Sequence, residues 1–170
     1  EEATEFINSY TDGLKADSDA ADELKSRIST LKEDLESLLP FENLGCKLED
    51  ILGFKHICYR CGRMPREAWK HFNENVNAKE NNSLNECSRD NKYIYGVYFT
   101  TPGENDRIDS LYASLKFERM HVCGKYAGTP KEICENLRAE IAASEDRLKT
   151  LQASLISQLA EKADELWLAK

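Results

Sequence analysis

The sequence predicts an α+β protein in which a ferredoxin-like lobe is inserted between two long antiparallel coiled-coil helices. Three observations indicate this fold class: an apolar stripe at helical spacing near each end of the chain, and a compact, strand-rich middle. A stripe this narrow must face another helix, so we expect the two stripes to pair. The predicted domains are a first stalk helix at 1–40, a globular lobe at 41–127 and a returning stalk helix at 128–170.

The first stalk helix is expected to run from Ala3 to Leu39 and to end at Pro40. Gly13 is a weak point in it, at a cost of roughly 1 kcal/mol relative to alanine. Its apolar stripe comprises Leu24, Ile28, Leu31, Leu35 and Leu38.

The returning stalk helix has a specific start signal. Thr129 can cap it, Pro130 suits its first turn and Glu132 completes a capping box. We expect the helix to reach about Leu168. Eleven-residue spacings within its stripe favour a straight or slightly right-handed pair. The stripe comprises Ile133, Leu137, Ile141, Leu148, Leu151, Leu155 and Leu159.

The middle of the chain has the pattern β-α-β-β-α-β, which predicts one antiparallel sheet with two helices on one face. The first strand is expected at 54–63 and is broken by Gly-Arg-Met-Pro at 62–65, with Pro65 as the first helical residue. The asparagine-rich stretch 73–82 predicts a loop or a frayed helix end. A short helical turn in the connector 41–52 is expected to pack on the lobe.

The second half of the lobe begins with a short edge strand at 84–88 and a strongly aromatic strand at 93–99. Gly96 is expected where a helix backbone approaches the sheet. A second helix starts at Pro102-Gly103, and the last strand is expected at 117–122. The face of the second helix that contacts the sheet comprises Ile108, Leu111, Tyr112 and Leu115.

The net charge of -8 is unevenly distributed. Residues 1–39 hold 11 acidic and 4 basic residues, whereas residues 41–128 are nearly neutral. Solvated acidic helix faces explain this pattern, and an acidic stalk that leaves the lobe free to dock acidic partners is the alternative. No basic stripe is present, so nucleic-acid binding is disfavoured. No apolar run approaches 18 residues, and the acidic start does not resemble a signal peptide, so we expect no membrane insertion.

Six scattered cysteines favour free thiols in a reducing compartment. Cys58 and Cys61 form a C-x-x-C pattern, but strand alternation sends them to opposite faces of the sheet. A metal or redox pair at these two residues stays open as the alternative. We predict no metal, no cofactor and no catalytic residue.

Four basic residues cluster around the turn between the first strand and the first lobe helix. They are candidates for a docking face for a protein partner, with a solvated, partly ion-paired surface and an anion pocket at the helix N-terminus as alternatives. The candidate docking residues are Arg60, Arg63, Arg66 and Lys70.

Four segments, in order, resemble subunit I of the V-type (A/V-type) ATP synthases, the counterpart of vacuolar ATPase subunit a. FKHICYRCGRMP at 54–65 resembles the family's strand and GR-x-P turn, and YIYGVYFTT at 93–101 looks like its aromatic strand. DRI and SLKFER, within 106–119, are similar to its DRIFASLYFER segment. Gly-Thr-Pro at 128–130 is similar to its entry into the returning helix. Cys61 departs from the family, which usually has a large apolar residue there.

The resemblance implies a cytoplasmic arm of a stator, which holds peripheral stalk heterodimers of E and G type against the torque of the rotor. It implies a position on the cytoplasmic face of the membrane, with the rest of the same subunit supplying the membrane domain. No catalytic residue is implied. The alternatives are a generic coiled-coil adaptor and a ligand-sensing or enzymatic module built on the ferredoxin-like lobe.

Overall fold

The computed structural model describes residues 2–75 and 84–168, and it describes side chains for residues 11–72 and 84–163. The predicted loop at 73–82 therefore lies largely outside the described residues. In chain order the elements are α1 (Glu2–Leu38), a 3-10 turn (Leu39–Phe41), α2 (Leu48–Leu52), β1 (Cys58–Pro65), α3 (Arg66–Asn75), β2 (Asn85–Arg89), β3 (Tyr93–Thr100), α4 (Asn105–Ser114), β4 (Glu118–Arg119) and α5 (Pro130–Leu168).

The chain divides into two compact units. The helical unit contains Glu1–Lys32 and Arg138–Lys170, and the mixed unit contains Glu33–Leu137. The mixed unit holds a four-stranded sheet in the order β2-β3-β1-β4, in which every neighbouring pair is antiparallel. The protein is therefore of the α+β class, as predicted.

One face of the sheet is covered by α3 and α4. Its core includes Met64 from β1, Ile94 from β3 and Ile108 from α4, all of which are buried. The rings of Tyr98 and Tyr112 stack in parallel, with centroids 3.9 Å apart, and so connect β3 to α4. Burial of such large aromatic side chains is the main stabilising contribution on this face.

The other face is covered by the connector between α1 and β1. Phe41, Leu44 and Ile51 pack over Cys61 and Val97. The helical turn expected in the connector is α2, and it contributes Ile51 to this core. Both faces of the sheet are therefore covered by other elements and shielded from solvent. This burial explains why β3 carries apolar side chains on both faces.

Strand β1 differs from the prediction because it continues through the Gly-Arg-Met-Pro sequence to Pro65. Pro65 pairs with Tyr93 at the end of the strand, and the helix begins at Arg66. A side chain at Gly62 would bring a Cβ within 2.2 Å of the Glu118 carbonyl oxygen and 2.6 Å of the Phe117 ring. Glycine is thus a strand residue here, since it permits the close approach of β4.

Two further expectations were wrong in detail. The close neighbours of Gly96 belong to strand β2 and not to a helix, since a Cβ there would lie 2.6 Å from the Asn85 carbonyl oxygen. The last strand has only two residues, Glu118–Arg119. Beyond it, the Met120 N–H still donates to the Cys61 carbonyl oxygen of β1 at 2.8 Å, and Met120 and Val122 pack against the connector-side core.

In the helical unit, two ion pairs join α1 and α5. Arg27 pairs with Glu140, and Lys32 with Glu145 at 2.7 Å. Ala21, Ile28, Leu31, Ile141 and Ser144 are buried. No described helix combines the length and the hydrophobicity of a membrane span.

The predicted stripe on α5 does not stay buried along its whole length. Leu137 is 1% exposed, Leu148 is half-buried and Leu159 is 55% exposed. These residues are eleven apart, and each step of eleven turns a regular α-helix by roughly 20° beyond whole turns. The stripe therefore rotates away from the line of contact, and Leu159 does not belong to the core.

Candidate functional site

The four predicted docking residues do not form a single cluster. Arg60 lies on the sheet face covered by α4, because alternation along β1 separates it from Arg63. Its Nη2 donates to Asp109 Oδ2 at 3.2 Å and its Nη1 donates to the Tyr59 carbonyl oxygen at 3.0 Å. The side chain is 23% exposed. Arg60 thus fastens α4 to β1 and presents little surface to a partner.

Asp109 is the centre of a partly buried polar network that includes Arg60. Tyr98 Oη donates to Asp109 Oδ1 at 2.6 Å, and Arg119 Nη2 donates to Oδ2 at 2.7 Å. Burial alone would raise the pKa of Asp109, but the Tyr98 hydrogen bond and the charges of Arg60 and Arg119 outweigh it and lower the pKa. The carboxylate is therefore held ionised as a structural element.

The network has two unsatisfied atoms at its edge, Arg60 Nε and Asn105 Oδ1, both buried. Asn105 Nδ2 approaches Cys58 Sγ at 3.5 Å. Asn105 and Asp109 lie one turn apart on α4, beside the apolar stripe that contains Ile108. That i, i+4 pair of polar residues is the sequence signal that could have revealed the network.

Arg63 and Arg66 do lie together, around the turn between β2 and β3. Arg63 Nε donates to Glu118 Oε2 at 2.7 Å, and its guanidinium lies 4.3 Å from the centroid of the Tyr93 ring. Arg66 Nη1 donates to the Asp90 carbonyl oxygen at 3.2 Å, and the backbone N–H of Arg66 donates to the Lys92 carbonyl oxygen. We call this region the turn surface, defined by Arg63, Arg66, Asp90, Tyr93 and Tyr95.

Asp90 organises the turn surface. Its carboxylate accepts hydrogen bonds from the backbone N–H groups of Lys92 and Tyr93, each at 2.7 Å, and from Tyr95 Oη at 2.9 Å. The backbone bonds from Tyr93 and Lys92 are the main reason that the pKa of Asp90 is lowered. The turn predicted at Asp90-Asn91 is confirmed; its carbonyl oxygens hold Arg66, and it positions the Tyr93 ring against the Arg63 guanidinium.

Lys70 is exposed on α3, and it forms no ion pair within the part of the chain that the structure describes. Arg66 is also exposed, whereas Arg63 is half-buried. Each arginine is held by a carboxylate, an aromatic ring or a backbone carbonyl. Such an arrangement suits recognition of a fixed protein surface, because the guanidinium groups lose little conformational freedom on binding.

Burial makes Cys61 and Cys87 poor nucleophiles. Cys58 and Cys61 lie on opposite faces of β1, as alternation predicts, and none of the six cysteines, all within the described residues, forms a disulfide. Burial raises the pKa of Cys61 to about 12 and that of Cys87 to about 11, which keeps both protonated at neutral pH. Among the described residues, no group of three or more histidine, cysteine, aspartate or glutamate side chains is placed to hold a metal ion.

Comparison with solved structures gives several similar chains, one of which is described below. No protein-family model matches the sequence, and no curated protein matches it. The structure is similar to the crystal structure of the cytoplasmic N-terminal domain of subunit I, a homologue of subunit a, of V-ATPase. The two are 11% identical with a TM-score of 0.49, over 85% of this chain and 50% of the other. The chain therefore spans half the length of that domain.

Proposed function

We propose that this chain is a non-catalytic arm of the stator of a rotary V/A-type ATPase, related to subunit I and subunit a. The arm comprises a ferredoxin-like lobe inserted between two stalk helices, with boundaries at residues 40/41 and 127/128. It acts on the cytoplasmic face of the membrane, as part of a membrane-anchored complex that couples ATP to ion transport. Its partners are a peripheral stalk heterodimer of E and G type and the remainder of the same subunit, including its membrane domain.

The observation that carries the proposal is that the segments resembling the family contact one another. Gly62, in the strand and GR-x-P segment, is the point of closest approach to Phe117 and Glu118 of the SLKFER segment. Arg63 pairs with Glu118 across the same contact. Tyr98, in the aromatic strand, packs edge-on against Phe117 with ring centroids 5.1 Å apart. The segments that carry the resemblance are therefore in contact with one another in the folded lobe.

The mixed unit has the properties that a docking lobe requires. Both faces of its sheet are buried, so the sheet cannot bend without exposing apolar core, and interiors packed in this way transmit load. The turn surface is built on the ends of β1 and β3, where Arg63 and Arg66 are held in place. Together with Lys70 it forms the docking face that we propose for the peripheral stalk.

Calorimetric titration of the 170-residue chain with its cognate peripheral stalk heterodimer tests this proposal. We expect binding in the micromolar range, and we expect the double variant Arg66→Glu, Lys70→Glu to weaken it about tenfold or more, because each reversal places a like charge opposite an acidic partner. Lys55→Glu, an exposed reversal on the same unit, is the matched control and should change the affinity less than about twofold.

Absence of heat at high micromolar concentration of both proteins would contradict the stator proposal. Binding that the double variant leaves unchanged would instead overturn the docking face alone. Nucleotide hydrolysis by the purified chain, lost on mutation of its own residues, would contradict the non-catalytic role.

A further inference from the structure

A groove runs between α1 and α5 in the helical unit, and we propose that it is a binding site for a third helix. The occupant is an amphipathic helix from another protein, with an apolar stripe and basic residues along one flank. The inference does not depend on the stator proposal, because the groove shares no residue with the turn surface.

The groove has two walls with the same helical spacing. It is a cavity of about 630 Å³ that is open to solvent. On each wall the lining residues are spaced at i, i+3, i+4 and i+7, which is one face of two helical turns. Such walls run parallel for about 10 Å and accept a helix lying along them. The lining residues are Ala20, Glu23, Leu24 and Arg27 on α1 and Arg147, Thr150, Leu151 and Ser154 on α5.

The floor of the groove is suited to apolar contact. Leu24 and Leu151 are half-buried between the walls. The hydroxyls are already bonded, since Thr150 Oγ1 donates to the Asp146 carbonyl oxygen at 3.0 Å and Ser154 Oγ accepts from Gln158 Nε2 at 3.3 Å. These hydroxyls do not require a polar ligand, so a stripe of aliphatic side chains can cover them at little cost.

Small residues extend the α1 wall towards the start of the chain. Ala16 and Gly13 follow Ala20 along the same face, and both are exposed. A Cβ placed at Gly13 would have no atom within 4 Å, so the space beside it is open. Because the distance between packed helices depends on the side chains at the contact, this wall allows a close approach.

Charges at the rim define the flanks of the occupant. Asp12, Asp19 and Glu23 follow one another at i, i+7 and i+11 beside the α1 wall, and all three are exposed. Within the described part of the chain they form no ion pair, and neither does Arg147 on the opposite wall. Arg27, the basic residue of the α1 wall, already pairs with Glu140. A helix with basic residues facing the acidic rim of α1 and an acidic residue facing Arg147 would therefore be complementary to both rims.

The same charges disfavour a second copy of this chain as the occupant. Residues 1–39 hold 11 acidic and 4 basic residues, so a second α1 would place carboxylates opposite the carboxylates of the rim. Like charges held this close oppose association. A heterologous helix with a basic flank avoids this repulsion.

A synthetic helical peptide serves as the probe. It has about 21 residues, with leucine at i, i+3, i+4 and i+7, lysine along the flank that faces α1 and glutamate opposite Arg147. A second peptide of identical composition exchanges the two charged flanks. Fluorescence anisotropy with the 170-residue chain should show that the first peptide binds in the range of about 10 to 100 µM and the exchanged peptide at least about fivefold more weakly.

Two matched variants locate the binding. Ala20→Trp fills the groove and should weaken binding about tenfold or more, whereas Ser18→Trp, on the opposite side of α1, should leave it within about twofold. Glu23→Lys removes a negative charge from the rim of α1 without filling the groove. It should reduce the ratio between the affinities of the two peptides. Circular dichroism of each variant verifies that the helices remain intact.

Three results would overturn the inference: no binding of the first peptide at millimolar concentration, equal binding of both peptides, or binding that Ala20→Trp leaves unchanged. Sedimentation of the chain alone should show a monomer. A dimer that Ala20→Trp dissociates would mean that a second copy occupies the groove, and the heterologous helix would then be wrong. Loss of heterodimer binding in the turn-surface variant has no bearing on any of these results.

Discussion

Gly62 lies at a point of close approach between strands β1 and β4. Gly62→Ala would drive a Cβ against the Glu118 carbonyl oxygen and the Phe117 ring, and strand β1 cannot move aside because it pairs on both edges. We expect the free energy of unfolding to fall by about 2 to 3 kcal/mol, as measured by urea denaturation.

Gly103 provides the control for this substitution. A Cβ there would have no atom within 4 Å, so Gly103→Ala should change the free energy of unfolding by no more than about 0.5 kcal/mol. Equal losses in the two variants would show that Gly62 is not a point of close approach.

The buried thiols predict a loss of stability at alkaline pH. Burial raises the pKa of Cys61 to about 12 and that of Cys87 to about 11, from an ordinary value of 9.0. Below pH 9 both states hold these protons. Above it the unfolded chain releases them while the folded chain retains them, so stability falls as pH rises from about 9 through 12.

Urea midpoints at several pH values between 7.5 and 10.5 measure this decline. Cys61→Ala and Cys87→Ala should each lower stability at neutral pH, because they leave cavities, and should each flatten the alkaline decline. A decline with the wild-type slope in both variants would exclude the thiols as its source.

Single residues also show which features can be predicted from the sequence and which cannot. Alternation along β1 placed Cys58 and Cys61 on opposite faces correctly, because that rule needs only local geometry. The same rule should have separated Arg60 from Arg63. The Asp109 network could not be foreseen as a whole, since its partners come from β1, β3, α4 and β4 and meet only in the folded chain.

At the scale of elements, the start of α5 is fixed by its cap. Glu132 Oε2 accepts from the Thr129 N–H at 3.0 Å, and Thr129 Oγ1 lies 3.4 Å from the Glu132 N–H, which completes the predicted capping box. Thr129→Ala should cost about 1 kcal/mol of unfolding free energy by thermal or urea denaturation.

Thr30 is the matched control for the cap, because it is exposed in the middle of α1 and its hydroxyl donates to the Ser26 carbonyl oxygen at 3.2 Å. Thr30→Ala should be neutral or slightly stabilising, since alanine has the higher helix propensity. A loss at Thr30 as large as that at Thr129 would contradict the role of the cap.

The exposure gradient along α5 predicts a gradient in its stability. Buried residues end at Ser144, and Ile156 and Leu159 are 68% and 55% exposed. Amide hydrogen exchange should therefore be slowest over residues 133–144 and faster, by about tenfold or more, over 150–162. Uniform protection of the amides along α5 in the isolated chain would contradict the conclusion that its apolar stripe leaves the contact with α1 beyond Ser144.

The elements themselves were largely predictable, and the failures share one cause. The starts of α5 and β3 carry local signals, a capping box and an aromatic run, and the structure confirms both. Strand β1 passes through Gly62 and Pro65, two residues that usually end strands, because β3 pairs with it along its whole length. Tertiary pairing outweighed the local propensity there.

At the scale of the whole chain, the sequence predicted two long helices and, between them in the sequence, a segment of strands and short helices. The order of strands and helices follows from the alternation of patterns, whereas the antiparallel pairing of the two long helices stays a prediction. The groove was not predictable, since it depends on the separation of two walls and not on the residues of either one. The stator role that we propose combines these features with the family resemblance.

Affinity purification of the endogenous protein from membranes tests the stator role most directly. With a tag on its own gene and mild detergent, we expect stoichiometric recovery of the peripheral stalk heterodimer and of the nucleotide-hydrolysing head of a rotary ATPase. The yield of both should fall in the Arg66→Glu, Lys70→Glu variant and not in Lys55→Glu. Recovery of the protein without any rotary ATPase subunit would contradict the account.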